Sequence, residues 1–113
     1  GVARGLHPDL ERDPALLDRL RGMNRRLGPE VWKRQAALVR KDAYSDLERI
    51  TCPSLVVAAR QDRLRSNEET ERMARHLPHS RFRLIENCGH MAPLEKPHEL
   101  SAILADWIRA TGL

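Results

Sequence analysis

Two short apolar runs separated by one helix-length segment constrain this chain more than anything else in its sequence. The first is Leu55-Val56-Val57-Ala58-Ala59 and the second Phe82-Arg83-Leu84-Ile85-Glu86. Strand, helix and strand in that order form a crossover unit, so the two strands run parallel and end on the same edge of one sheet. The first run is apolar on both faces, the pattern of a strand covered on both sides. Asp62 follows it within Arg60-Gln61-Asp62-Arg63-Leu64, and His90 follows the second within Asn87-Cys88-Gly89-His90-Met91. Each is expected two to three residues beyond its strand, side by side, where open α/β sheets place their reactive groups.

An aspartate and a histidine so placed can work together. The carboxylate accepts a hydrogen bond from one imidazole nitrogen, which fixes the tautomer and stabilises the imidazolium formed when the other nitrogen takes a proton. Gly89 is expected to let the backbone turn sharply so that the ring enters the site. An isolated aspartate after a strand is usually a helix cap or a turn residue, and an isolated histidine is more often structural than catalytic. Corresponding positions in one βαβ unit favour the functional reading.

Helical signals fill the rest. Asp13 reads as an N-cap and Pro14 as the first residue of a helix over 13–27 with Leu16, Leu17, Leu20, Met23 and Leu27 on one face, ended by Gly28. Pro29 opens a second amphipathic segment to about Lys41, in which Val31, Trp32, Gln35, Ala36 and Val39 share a face. A short turn at 45–49 precedes Pro53, which blocks helix and starts the extended run. Ser66-Asn67-Glu68-Glu69 is a capping box, so Ser66 has a structural task; its helix is expected to bury Met73, Ala74 and Leu77 and to stop before Pro78. The last helix, about 97–110, lines up Leu100, Ile103, Leu104, Trp107 and Ile108, with Gly112 at its end.

Composition narrows the partners. Net charge is +4, but the basic residues alternate with acids, as in Glu68-Glu69-Thr70-Glu71-Arg72, and form no stripe with the four aromatics, so no nucleic-acid partner is expected. No apolar stretch reaches the roughly 20 residues of a membrane span, and Gly-Val-Ala-Arg does not open a signal peptide. A soluble, cytoplasmic protein is expected. Cys52 and Cys88 fall at opposite ends of neighbouring parallel strands, roughly 20 Å apart, too far for a disulfide, and two free thiols fit a reducing compartment. His76 and His79 have a spacing seen at metal sites, but Pro78 intervenes and no further ligand completes a set; neither metal nor cofactor is expected. Ser45, Ser54, Ser66, Ser80 and Ser101 all lack a Gly-x-Ser-x-Gly turn. Cys88 is a weaker candidate nucleophile, only two residues from His90 on the same loop, and Glu95 is expected to tether the loop or favour the last helix's N-terminus.

Leu47-Glu48-Arg49-Ile50-Thr51-Cys52-Pro53-Ser54-Leu55-Val56-Val57, then Asp62, Cys88-Gly89-His90 and Leu94-Glu95-Lys96-Pro97, resembles the C-terminal part of α/β-hydrolase fold enzymes. The likeness runs from about residue 29 to 110 and is strongest over 47–98. It implies an α/β fold in which the strand-helix-strand-helix unit closes the family's eight-stranded sheet and lid-type helices precede it. The division implied is 1–46, a helical lid or cap segment, and 47–113, the C-terminal part of the hydrolase core. The resemblance gives Asp62 the place of the triad acid and His90 that of the general base. Ala59 stands where the family often has glycine. The nucleophile elbow lies upstream in the family, so the chain is expected to be a portion of a serine-type hydrolase acting on a small-molecule ester or related carbonyl compound, inactive by itself. The alternative is a non-catalytic, hydrolase-like interaction or dimerisation module. An unpaired edge at 55–60 leads to the expectation of a homo-oligomer or the remnant of a longer chain.

Overall fold

The computed structural model describes residues 2–113; Gly1, the first residue of the expected helical segment 1–46, lies outside the described residues. Two 3-10 turns, Val2–Gly5 and Pro8–Leu10, open the described chain. They are followed by α1 (Pro14–Leu27), α2 (Pro29–Ala36), α3 (Tyr44–Leu47), β1 (Ser54–Ala59), α4 (Asn67–His76), β2 (Ser80–Ile85), α5 (Ala92–Glu95) and α6 (Pro97–Thr111).

β1 and β2 pair in parallel, in register from Ser54 opposite Ser80 to Ala59 opposite Ile85. The crossover therefore has the expected form. β2 starts two residues before the expected run and releases Glu86, whose carboxylate instead pairs with Arg60 beyond the end of β1. α4 lies against β1 and β2, and α6 packs along β2. The tightest packing lies at the strands' C-terminal ends, where Ala59, Ile85 and Cys88 are buried and Val57, Ala92, Leu100 and Ile103 close around them. The best-buried part of the sheet is thus the part that carries the loops after it.

Helix ends follow local chemistry. Asp13 caps α1 by accepting from the Leu16 amide, and Ser66 caps α4 by accepting from the Glu69 amide. Such caps stabilise a helix by about 1 kcal/mol each. Gly28 (φ 83°) separates α1 from α2, and Gly112 (φ 73°) ends α6 in the left-handed region that favours glycine.

Two expectations about buried faces need correction. α2 ends at Ala36, not near Lys41, and Leu38 and Val39 beyond it are 63% and 89% exposed. No neighbouring element covers that face among the described residues, and helix propensity alone does not hold so short a segment. Met73, Leu104 and Ile108 are exposed as well, because two strands are too narrow to cover the full apolar stripes of α4 and α6. Of the α4 trio only Ala74 is buried.

Candidate active site

Asp62 stands three positions past the end of β1, as expected, and His90 five past the end of β2, a longer excursion than the expected two to three. The two still meet: Asp62 Oδ2 lies 2.9 Å from His90 Nδ1. The other carboxylate oxygen, Oδ1, accepts from the amides of Leu64 at 2.8 Å and Arg65 at 3.0 Å. This Asx turn locks the carboxylate's orientation and leaves Oδ2 for the imidazole.

The aspartate is mostly buried and the histidine partly open to solvent. Burial raises the Asp62 pKa, but the hydrogen bonds from His90, Leu64 and Arg65 together outweigh it, and the carboxyl lies below its ordinary value of 3.8. It is an anion at neutral pH. With Nδ1 donating to that anion, Nε2 is the nitrogen that can accept a proton, and no hydrogen-bond partner meets it among the described residues.

The two loops are knitted together behind the pair. The Arg60 amide donates to the Ile85 carbonyl and the Gln61 amide to the Cys88 carbonyl. The Gln61 side chain returns the favour, its Oε1 accepting from the Cys88 amide at 3.0 Å. Cys88 is fully buried, and burial followed by the charge of Glu95 pushes its thiol up to about 11. It is a packing residue with no thiolate to offer near neutral pH. Cys52 is exposed, and both thiols are free, as expected from their separation.

A feature the sequence reading did not foresee lies on the other side of the histidine loop. Residues 3–7 form a strap across it. The His90 amide donates to the Gly5 carbonyl at 2.7 Å, and Leu6 of the strap is fully buried. Arg63, next to the site aspartate, donates to the carbonyls of Leu6 at 2.9 Å and Ala3 at 3.4 Å and pairs with Glu11. The role expected for Gly89 is corrected accordingly. The left-handed turn falls on Asn87 (φ 52°), whereas a Cβ on Gly89 would stand 2.4 Å from the His7 nitrogen and 2.5 Å from the Leu6 carbonyl carbon. Glycine is required there because the strap passes so close.

Of two hollows near the pair, only the first is lined by it. One of about 320 Å³ is lined by Val57, Ala59, Asp62, Thr70, His90 and Leu100 along the free edge of β1. Another, about 210 Å³ and mainly apolar, lies between α1 and the loops, where Leu20 and Met23 face Leu64 and Met91. A larger hollow of about 410 Å³ beside Tyr44, Leu47 and Met73 includes neither Asp62 nor His90. Among the described residues no cluster of histidine, cysteine and carboxylate side chains could hold a metal, and His76 instead pairs with Glu48 at 3.0 Å. No helix among them is long and apolar enough to cross a membrane.

A family model described as alpha/beta hydrolase fold matches residues 6–97. Proline iminopeptidase from Heyndrickxia coagulans is 32% identical over 83 residues, which are 74% of this chain and 28% of that protein. A thermophilic esterase from Thermogutta terrifontis, solved with malate bound, is 35% identical with a TM-score of 0.61, over 64% of this chain and 26% of the esterase chain. MGS-M2, an alpha/beta hydrolase enzyme from a Medee basin deep-sea metagenome library, is 20% identical and shares the fold over 95% of this chain and 42% of its own, with a TM-score of 0.71. The chain thus spans between about a quarter and less than half of these proteins.

Proposed function

This chain belongs to the alpha/beta hydrolase fold family, and from that premise we propose that it supplies the acid and base of a serine-type hydrolase acting on a small-molecule ester or related carbonyl compound. The observation that carries the reading is the 2.9 Å contact between Asp62 Oδ2 and His90 Nδ1, with Nε2 left to do chemistry. In the proposed reaction His90 Nε2 takes the proton of a serine hydroxyl as that oxygen bonds to the substrate carbonyl carbon. Asp62 stays ionised and holds the imidazolium. The same proton then passes to the leaving group as its bond to the acyl carbon breaks; water, deprotonated by His90, then bonds to the acyl carbon, and the serine oxygen leaves, taking that proton back, as the acid is released.

We assign the nucleophile to sequence outside residues 1–113, because none of the five serines here follows a strand in the turn such a nucleophile needs. The edge of β1 away from β2 is where we place the next strand of the sheet, and with it the serine, opposite the hollow that His90 lines. We divide the chain into a lid segment, 1–46, and a core segment, 47–113. A homo-oligomer formed through the same edge is the competing arrangement, and the free thiols support a cytoplasmic setting. That the relatives include an esterase and a peptidase supports carbonyl hydrolysis.

Turnover of short-chain p-nitrophenyl esters by the full-length protein tests the assignment. Asp62→Asn should lower kcat about 10⁴-fold, and His90→Ala at least as much, while secondary structure and oligomeric state stay unchanged. Wild-type turnover in either variant would overturn it, and a full-length protein that hydrolyses nothing while remaining assembled would favour a binding module.

A further inference from the structure

Glu95, expected from the sequence to tether the histidine loop, does so with more contacts than a single tether needs. Its Oε1 accepts from the amides of His7 at 2.8 Å and Gly89 at 2.9 Å, and its Oε2 accepts from the amide of Met91 at 2.9 Å. One half-buried carboxylate thus binds the main chain immediately before and after His90 and the strap that crosses it. The His90 amide itself is held by Gly5 of the same strap. Hydrogen bonds from neutral amides to an ionised acceptor are roughly twice as strong as those between neutral groups. No other side chain among the described residues receives three main-chain amides.

We infer that Glu95 is a positioning residue: it fixes the backbone on both sides of His90 and against the 5–7 strap, and so aims the imidazole at Asp62. The inference rests on the assignment of His90 as general base but uses different atoms. Glu95 touches neither ring nor Asp62, so its effect on chemistry must pass through the loop. Its neighbours give the same account from another side, because Gly89 leaves no room between the loop and the strap, and Arg63 ties the strap to the Asp62 loop. The two reacting groups are thereby referred to one piece of backbone instead of to each other alone.

The chemistry of a carboxylate separates this role from simple packing. Glutamine keeps the volume but carries only one acceptor oxygen. Placed in the same position it satisfies either the His7 and Gly89 amides or the Met91 amide, and turns an NH₂ group against the other. Aspartate keeps the charge and loses the reach by one methylene.

The test is ¹⁵N-histidine NMR of the full-length protein, with the His90 signals assigned by His90→Gln, combined with ester kinetics. Wild type should show a downfield Nδ1–H resonance for His90 that Asp62→Asn removes. Glu95→Gln and Glu95→Ala should each broaden or shift that resonance and lower kcat, roughly 10-fold for the former and up to 100-fold for the latter, with KM within about twofold. Asp13→Ala, which removes a cap on α1, controls for general loss of stability and should leave resonance and kcat unchanged. If Glu95→Ala does not fold, Glu95→Gln carries the test alone. A Glu95→Gln variant with wild-type resonance and kcat overturns the inference even when Asp62→Asn abolishes both. An Asp62→Asn variant that retains both overturns the parent assignment instead.

Discussion

The strap and site loops contrast with the α1–α2 pair that lies between them in the chain. Around His90, nearly every main-chain group has a named partner: Gly5, Gln61, Arg63 and Glu95 satisfy amides and carbonyls from three separate stretches of sequence. In α1 and α2 Leu20 is the one buried side chain, while Trp32 is 56% exposed and Met23 40%. One region is held by directional polar contacts converging on a point; the other presents amphipathic helices with their apolar faces largely uncovered. Hydrogen-bonded loops can be complete within a short chain, whereas an apolar stripe is complete only when something broad enough lies against it.

Two glycines should respond oppositely to the same substitution. Gly89→Ala drives a methyl group into the His7 and Leu6 backbone, which cannot move aside as a side-chain tip could. A loss of about 1–3 kcal/mol in denaturant unfolding is expected, with displacement of His90. Gly22 lies inside α1, where the added Cβ meets the end of the Arg26 side chain at 3.4 Å. Gly22→Ala should stabilise by about 0.5–1 kcal/mol. Equal signs for the two would erase the contrast between a strapped loop and an open helix.

The smallest effect is on pH dependence. The folded-state Asp62 carboxyl lies below its ordinary 3.8, so its contribution to stability is present above that value and is lost as pH falls through the lower, folded value. Asp62→Asn should therefore flatten the acid limb of the stability curve below about pH 4 and leave its slope near neutrality alone. An unchanged acid limb would mean that the hydrogen bonds from His90, Leu64 and Arg65 do not favour the charged form.

Much of this was legible in the sequence where one residue type has one dominant local task. Pro14, Gly28, Ser66 and Gly112 marked helix ends correctly, and the apolar runs placed both strands to within two residues. The meeting of Asp62 with His90 followed from topology alone, since parallel strands share an edge. The strap was not legible: Ala3, Gly5 and Leu6 lie 57 residues and more from Arg63, and nothing local announces a contact made by carbonyl groups. Gly89 was identified as important for the wrong reason, because φ and close approach leave the same residue in a sequence. The face of α2 failed differently. Its periodicity was real as far as Ala36, but a period states which side is apolar and not whether a neighbour covers it.

The central claim is that His90 Nε2, steadied by Asp62, removes the proton of a serine hydroxyl. Fluorophosphonate labelling of the full-length protein, followed by mass spectrometry across pH, tests it most directly, because the probe reports nucleophile activation without a chosen substrate. The account predicts stoichiometric labelling of one serine outside residues 1–113 in the wild type, at a rate that rises as a histidine loses its proton, and slowed by orders of magnitude in both His90→Ala and Asp62→Asn. Labelling that proceeds at the same rate in His90→Ala would contradict it.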